Sequence, residues 1–148
     1  MVGGMTTKQA PVDPQHLVAR YVGLWNEPSP EVRRSLIAEL WSEHGRHVLQ
    51  PPPEMREAAA RLGFAEPTLE ARGQTALEAR VTRAYQEFVQ PGQYLFRSRG
   101  NAERLHDHVK FNWEMVTTAA GEVAAVGLEI LVLDEDDRIR VDYQFIEP

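Results

Sequence analysis

The chain has no cysteine, which removes disulfides, thiolate nucleophiles and zinc–thiolate sites at once. It has no apolar run approaching the ~20 residues that a membrane-spanning helix needs. It also lacks a basic cluster. Sixteen Lys and Arg face 22 Asp and Glu, for a formal net charge of −6, and phosphate backbones demand clustered cations, so no nucleic-acid partner is expected. Arg33, Arg34, Arg56, Arg61, Arg72, Arg80 and Arg83 stand singly, mostly among Glu, as on solvated helix faces. Missing too are a Gly-rich phosphate loop, a nucleophile elbow and any internal repeat. The opening MVGGMTTKQAPV is too polar for a signal peptide, so a cytoplasmic location is expected. Residues 1–12 read as a flexible leader and 13–148 as a single domain.

What is present is an orderly change of period. Asp13-Pro14 is a helix start, a capping side chain followed by Pro at the first helical position. Leu17, Tyr21, Leu24 and Trp25 then recur at helical spacing. Ser29-Pro30 repeats the signal, and Val32, Leu36, Ile37, Leu40 and Trp41 form a second stripe with Gly45 as its expected stop. A short strand is expected over 46–50, closed by Pro51-Pro52-Pro53. A short helix is expected over 54–62, a loop over 64–72, and a helix opened by a Thr75/Glu78 capping box and running to Val89. From Gln93 the pattern alternates: strands are expected over 93–98, along LHDHVKFNWEMVTT, along VAAVGLEILVL and along RIRVDYQFIE, the last two joined by a turn at Asp134–Asp137. Helices first and antiparallel strands last define an α+β class.

Glu129 interrupts GLEILVL where a strand normally carries Val or Ile. Leu131 and Leu133 share its face, which argues that this face is covered, and burial would raise a carboxyl toward the range of a general acid or base. Through the hairpin Glu129 is expected to pair near Asp142, with Gln144 beside it, making Asp142 a second acid/base candidate. Leu128, Ile130, Val132, Ile139, Val141, Tyr143 and Phe145 form the other, more apolar face. One face must pack on the helices, and the other is expected to meet a second copy of the chain, since a bare apolar sheet would be an oversized exposed patch.

His106, His108, Lys110, Asn112 and Glu114 alternate along one strand. The middle of that face can line a pocket, with Asn112 in its wall and His106 or His108 pairing with a carboxyl as acid/base. The same His-x-His and Glu114 are a lesser alternative as a metal site. Trp25 and Trp113 are expected as pocket walls able to stack on a flat apolar ligand.

The order helix, helix, short strand, helix and long antiparallel meander resembles the SnoaL-like polyketide cyclases and ketosteroid isomerases of the nuclear transport factor 2-like superfamily. The segments that carry the resemblance are ARYVGLWNEPSPEVRRSLIAELW and VGLEILVLDEDDRIRVDYQFI, with FNWEM between them. It implies a cystatin-like cone of N-terminal helices packed on a curved, mainly antiparallel sheet. It implies that Tyr21, in Arg20-Tyr21, offers its hydroxyl to the pocket. Glu129, five residues before Asp134, stands in the place of a carboxyl oxyanion donor or acid/base residue. Where the isomerases carry a proton-abstracting Asp just before a Pro, this chain has Gln50-Pro51, so Gln50 is expected in the pocket but not as a base. The function expected is a cofactor-independent cyclase, isomerase or lyase acting on a small apolar or aromatic carbonyl compound. The alternative is a non-catalytic ligand-binding or dimerisation module. No resident metal or cofactor is needed by the acid/base scheme.

Overall fold

The computed structural model describes residues 11–63 and 69–147. Asp13 caps α1 (Pro14–Asn26) by accepting from the Gln15 N–H, and Ser29 caps α2 (Pro30–Leu40) by accepting from the Val32 N–H, each with Pro in the first turn. α2 is followed directly by β1 (Trp41–Leu49), α3 (Pro53–Arg61), β2 (Leu69–Arg72) and α4 (Gln74–Ala84). A π-helical turn, Tyr85–Val89, extends α4. The rest is sheet: β3 (Tyr94–Ser98), β4 (Glu103–Leu105), β5 (His108–Thr117), β6 (Val123–Leu133) and β7 (Ile139–Ile146). None of the described helices is long and apolar enough to cross a membrane.

The strands form one mixed sheet in the order β2-β1-β7-β6-β5-β3, with β4 on β5. All neighbours are antiparallel except β1 and β7, which run parallel. Leu17, Leu24, Ile37, Leu40, Leu77 and Val81 from the helices meet Val109, Phe111, Leu131 and Ile139 from the sheet in one core. The face carrying Glu129, Leu131 and Asp142 therefore turns inward. Leu128, Ile130, Tyr143 and Phe145 stand on the outer face, where Tyr143 and Phe145 are exposed.

Four local expectations change. β1 begins at Trp41, and Gly45 does not stop α2. It lies in the irregular start of β1, where a Cβ would stand 2.6 Å from the Trp41 ring and 2.8 Å from the Ile139 carbonyl oxygen. Residues 69–72, expected as loop, form β2 against β1; 64–68 lie outside the described residues. The expected Thr75/Glu78 box does not form: Gly73 is the N-cap, with no side-chain cap, and Glu78 pairs with Arg34. Finally, His106 and His108 do not share one long strand. His106 and Asp107 are the turn between β4 and β5, with His106 at φ 58°.

Candidate active site

α1 and the inner face of the sheet enclose a cavity of about 600 Å³. Its walls are apolar, including Val22, Trp25, Phe88, Phe96, Trp113 and Met115. Against them stands a compact polar group from four elements: Tyr21 of α1, His47 of β1, Glu129 of β6, and Asp142 with Gln144 of β7. Tyr21, His47 and Glu129 line the cavity, whereas Asp142 lies behind Tyr21. Glu129 and Asp142 are fully buried, and Tyr21 and His47 are each 2% exposed.

Register explains the convergence. The parallel pairing puts His47 opposite Asp142, and the β6–β7 hairpin puts Glu129 opposite Gln144 and Leu131 opposite Asp142. Glu129 and Asp142 are thus diagonal neighbours on one face. Trp113 lies opposite Gly127, and a Cβ on Gly127 would stand 2.1 Å from its ring carbons. Only a glycine lets the indole lie flat across the strand there. From that position the indole Nε1–H donates to Glu129 Oε1 at 2.9 Å.

The Tyr21 hydroxyl lies 2.5 Å from Asp142 Oδ2 and 3.2 Å from Glu129 Oε2. A phenol has one proton. It serves one of the two carboxyl groups at a time. Burial, reinforced by the Asp142 charge, pushes the Glu129 carboxyl well above its usual range, against the opposing pull of the Trp113 and Tyr21 hydrogen bonds. Burial and the two carboxyl groups likewise hold Tyr21 well above the usual phenol value. The arrangement is a Glu129 carboxyl biased toward its protonated form, with a phenol between it and the Asp142 carboxyl behind. Asp142 Oδ1 is buried with no hydrogen-bond partner among the described residues.

His47 Nε2 lies 3.0 Å from Gln144 Oε1, and its Nδ1 lies 3.0 Å from Arg80 Nη1. Burial lowers the imidazole's affinity for a proton; Asp142 pulls it back up and Arg80 lowers it further. The donor atoms of His47, Glu129 and Asp142 lie within 4.8 Å of one another, close enough to share a cation. Arg80 argues against that use. A ligating histidine normally donates its second ring N–H to an acceptor, whereas here a guanidinium, which can only donate, faces that nitrogen.

Of the remaining candidates, Trp25, Trp113, Gln50 and Gln144 line the cavity, and the Gln50 amide oxygen accepts from the Ile146 N–H. Asn112 does not line it: its side chain bonds Asn101 and the Gly127 carbonyl on the outer face. His106 and His108 are exposed and pair with Asp107 at 3.4 and 2.6 Å, which corrects their expected partnership with Glu129. Glu114 accepts from Arg97 at 2.8 Å and Arg99 at 2.9 Å. It lies ~20 Å along β5 from His108 at the strand rise, so the alternative metal trio does not assemble. Two residues of the site, His47 and its partner Arg80, were not expected from sequence. His47 follows Gly45 at strand spacing on the buried face. Arg80 sits with Leu77, Val81 and Ala84 on the α4 stripe, where a charge signals a buried partner rather than a solvated face.

No protein-family model matches the chain, and no curated protein matches it. Solved structures do. A candidate isomerase of the SnoaL-like family from Agrobacterium tumefaciens str. C58 aligns over 91% of this chain and 97% of its own, at 24% identity and a TM-score of 0.72. A SnoaL-like protein of unknown function from Burkholderia thailandensis e264 aligns over 93% and 100%, at 15% identity and a TM-score of 0.62. A nuclear transport factor 2-like protein of unknown function from Mesorhizobium loti aligns over 94% and 98%, at 16% identity and a TM-score of 0.57. The chain has the nuclear transport factor 2-like fold, the cystatin-like α+β cone. Within that fold its architecture is similar to that of the SnoaL-like proteins.

Proposed function

We propose that this chain is a small-molecule pocket protein that performs cofactor-independent acid/base chemistry on an apolar or aromatic carbonyl compound. The observation that carries this reading is a fully buried carboxyl group at the wall of an apolar cavity, with hydrogen bonds that fix both of its oxygens and burial that favours its protonated form. Glu129 acts first as an acid, passing its proton to the ligand's carbonyl oxygen. The Glu129 carboxylate so formed then removes a proton from the carbon next to the carbonyl, which returns Glu129 to its starting state and leaves the ligand as its enol, the species from which isomerisation or cyclisation departs. Positive charge on the ligand offsets the second carboxylate charge beside Asp142 while Glu129 is ionised. Tyr21 and Trp113 hold the carboxyl in place between the two transfers.

A specific observation favours a second reading, a binding module without catalysis. Both ring nitrogens of His47 are engaged and Gln50 is an amide, so no free neutral base stands beside Glu129. A thermal-shift screen of flat polycyclic, steroid and terpenoid ketones separates the two. We expect at least one ketone to raise the melting temperature of the wild type, and the protein to exchange that ketone's α-hydrogens with deuterium from solvent. Glu129→Gln should still bind and lose at least 100-fold of the exchange, on the order of a general acid/base contribution. Binding with no exchange by the wild type selects the binding module, and equal exchange by Glu129→Gln removes Glu129 from the chemistry.

The outer sheet face is the proposed contact for a second copy of this chain, because Leu95, Tyr143 and Phe145 are 36–43% exposed there. Sedimentation at the monomer mass would refute it.

A further inference from the structure

The acid/base reading makes Glu129 the working group and leaves two neighbours, the buried His47 and the half-buried Arg80, without a role. Their geometry supplies one. Arg80 reaches from α4 to the sheet, and its Nη1 lies 3.0 Å from His47 Nδ1, 3.1 Å from the His47 carbonyl oxygen and 3.3 Å from the Leu69 carbonyl oxygen. Nη1 carries two N–H groups for these three partners, so at least one is shared, and a guanidinium has no lone pair to offer. A proton on His47 Nδ1 would face a donor it cannot bond, so the contact favours the neutral Nε2–H tautomer. The Nε2–H then donates to Gln144 Oε1 at 3.0 Å. That same contact orients the Gln144 amide with its oxygen toward the ring.

His47 Nε2 lies 3.7 Å from Asp142 Oδ2 and 3.9 Å from Glu129 Oε2. Burial disfavours an imidazolium at this position, Asp142 favours one, and Arg80 adds to the opposition. The charged and titratable groups facing the ring are Arg80 from α4, Glu129 from β6, Asp142 from β7 and, through the carboxyl groups, Tyr21 from α1; Trp25 covers it with ring centroids 5.6 Å apart. An imidazolium here would neutralise Asp142 and remove the charge that helps keep the proton on Glu129.

We propose that Arg80 is a positioning residue that acts through His47: by donating to Nδ1 it fixes the ring as a neutral Nε2–H donor and so keeps the mobile proton of the site on Glu129. This deepens the acid/base reading, but its test needs no ligand, so the two can fail separately.

The test is long-range 1H–15N correlation of the imidazole rings in 15N-labelled protein between pH 5 and 8. The chain has five histidines, and the signal absent from His47→Asn identifies the ring. In the wild type His47 is expected as the neutral Nε2–H tautomer across this range. Arg80→Gln keeps a side chain of hydrogen-bonding character but loses the charge and the obligatory donor. Its His47 should gain an Nδ1–H population, and its protonation midpoint should move up relative to the wild type. Arg80→Lys, still cationic and donor-only, should keep the wild-type tautomer. A role in packing alone would lower the melting temperature of Arg80→Gln and leave the tautomer unmoved. An Nδ1–H or cationic His47 in the wild type overturns the proposal, as does an unchanged ring in folded Arg80→Gln. If Arg80→Gln does not fold, the wild-type tautomer and its retention in Arg80→Lys decide the matter.

Discussion

Glu114 and Glu129 are both glutamates in long strands of one sheet, on neighbouring strands, and they have opposite electrostatics. Glu114 points outward from β5 between Arg97 and Arg99, and those two guanidinium groups hold its carboxyl below the usual range. Glu129 points inward from β6 toward Asp142, and burial holds its carboxyl above that range. The residue type is the same, so the face of the sheet decides the chemistry. A strand alternates faces at every residue, and a shift of one residue in register would exchange the two environments.

The change expected to break this contrast most strongly is Gly127→Ala. The added methyl collides with the Trp113 ring, so the indole must move, Glu129 loses its N–H donor and the cavity wall shifts. Overpacking of this kind costs about 1–3 kcal/mol, read as a lowered urea midpoint. A variant as stable as the wild type would mean the indole does not lie where it is described.

Next comes the pH dependence of Glu129→Gln. A carboxyl whose folded-state pKa is raised binds a proton in the folded chain after the unfolded chain has released it. Its contribution therefore declines as pH rises from the ordinary glutamate value through the raised one. Gln removes that decline. The melting temperature of the variant relative to the wild type should be higher at pH 8 than at pH 5, and parallel profiles would mean Glu129 is not held protonated.

The smallest effect belongs to Glu114→Gln, where the sign reverses. The lowered carboxyl contributes stability above the ordinary glutamate value, and loses it as pH falls through the lowered one. Its arginine partners are 52% and 43% exposed although the glutamate side chain itself is only 11% exposed, so the loss at neutral pH should be about 1 kcal/mol and shrink in salt. A larger loss in urea titrations would mean that the outer pair is far less hydrated than its exposure implies.

How much of this was visible in the sequence follows from where each signal is local. The helix starts at Asp13 and Ser29 are visible because capping chemistry occupies adjacent residues. The fold class follows from the change of period near Gln93. Glu129 stands out because a charge within an apolar strand is costly unless something meets it. What meets it was harder to see. His47 lies in a short strand whose pairing with β7 is parallel and remote in sequence. Arg80 looks like its neighbours in a charged helix until the β1–β2 edge is placed against it. Arg33, also expected on a solvated face, is buried, donating to the Glu27 and Pro28 carbonyl oxygens and lying 4.9 Å from the Tyr85 ring centre. His106 and His108 misled for the opposite reason: their alternation suggests one strand, and only the positive φ of His106 reveals a turn.

The parallel pairing of β1 with β7 also has a bearing on how the molecule reaches its native state. Tyr21 and Asp142 are 121 residues apart, and His47 and Gln144 are 97 apart. Contacts of such separation cost the most loop-closure entropy and slow folding. The site's polar group is complete only once the C-terminal strand has docked, so no fragment lacking β7 carries it. A ligand that needs the finished cavity has nothing to bind in a transition state that precedes this docking. It would therefore lengthen the lifetime of the native chain without hastening its formation.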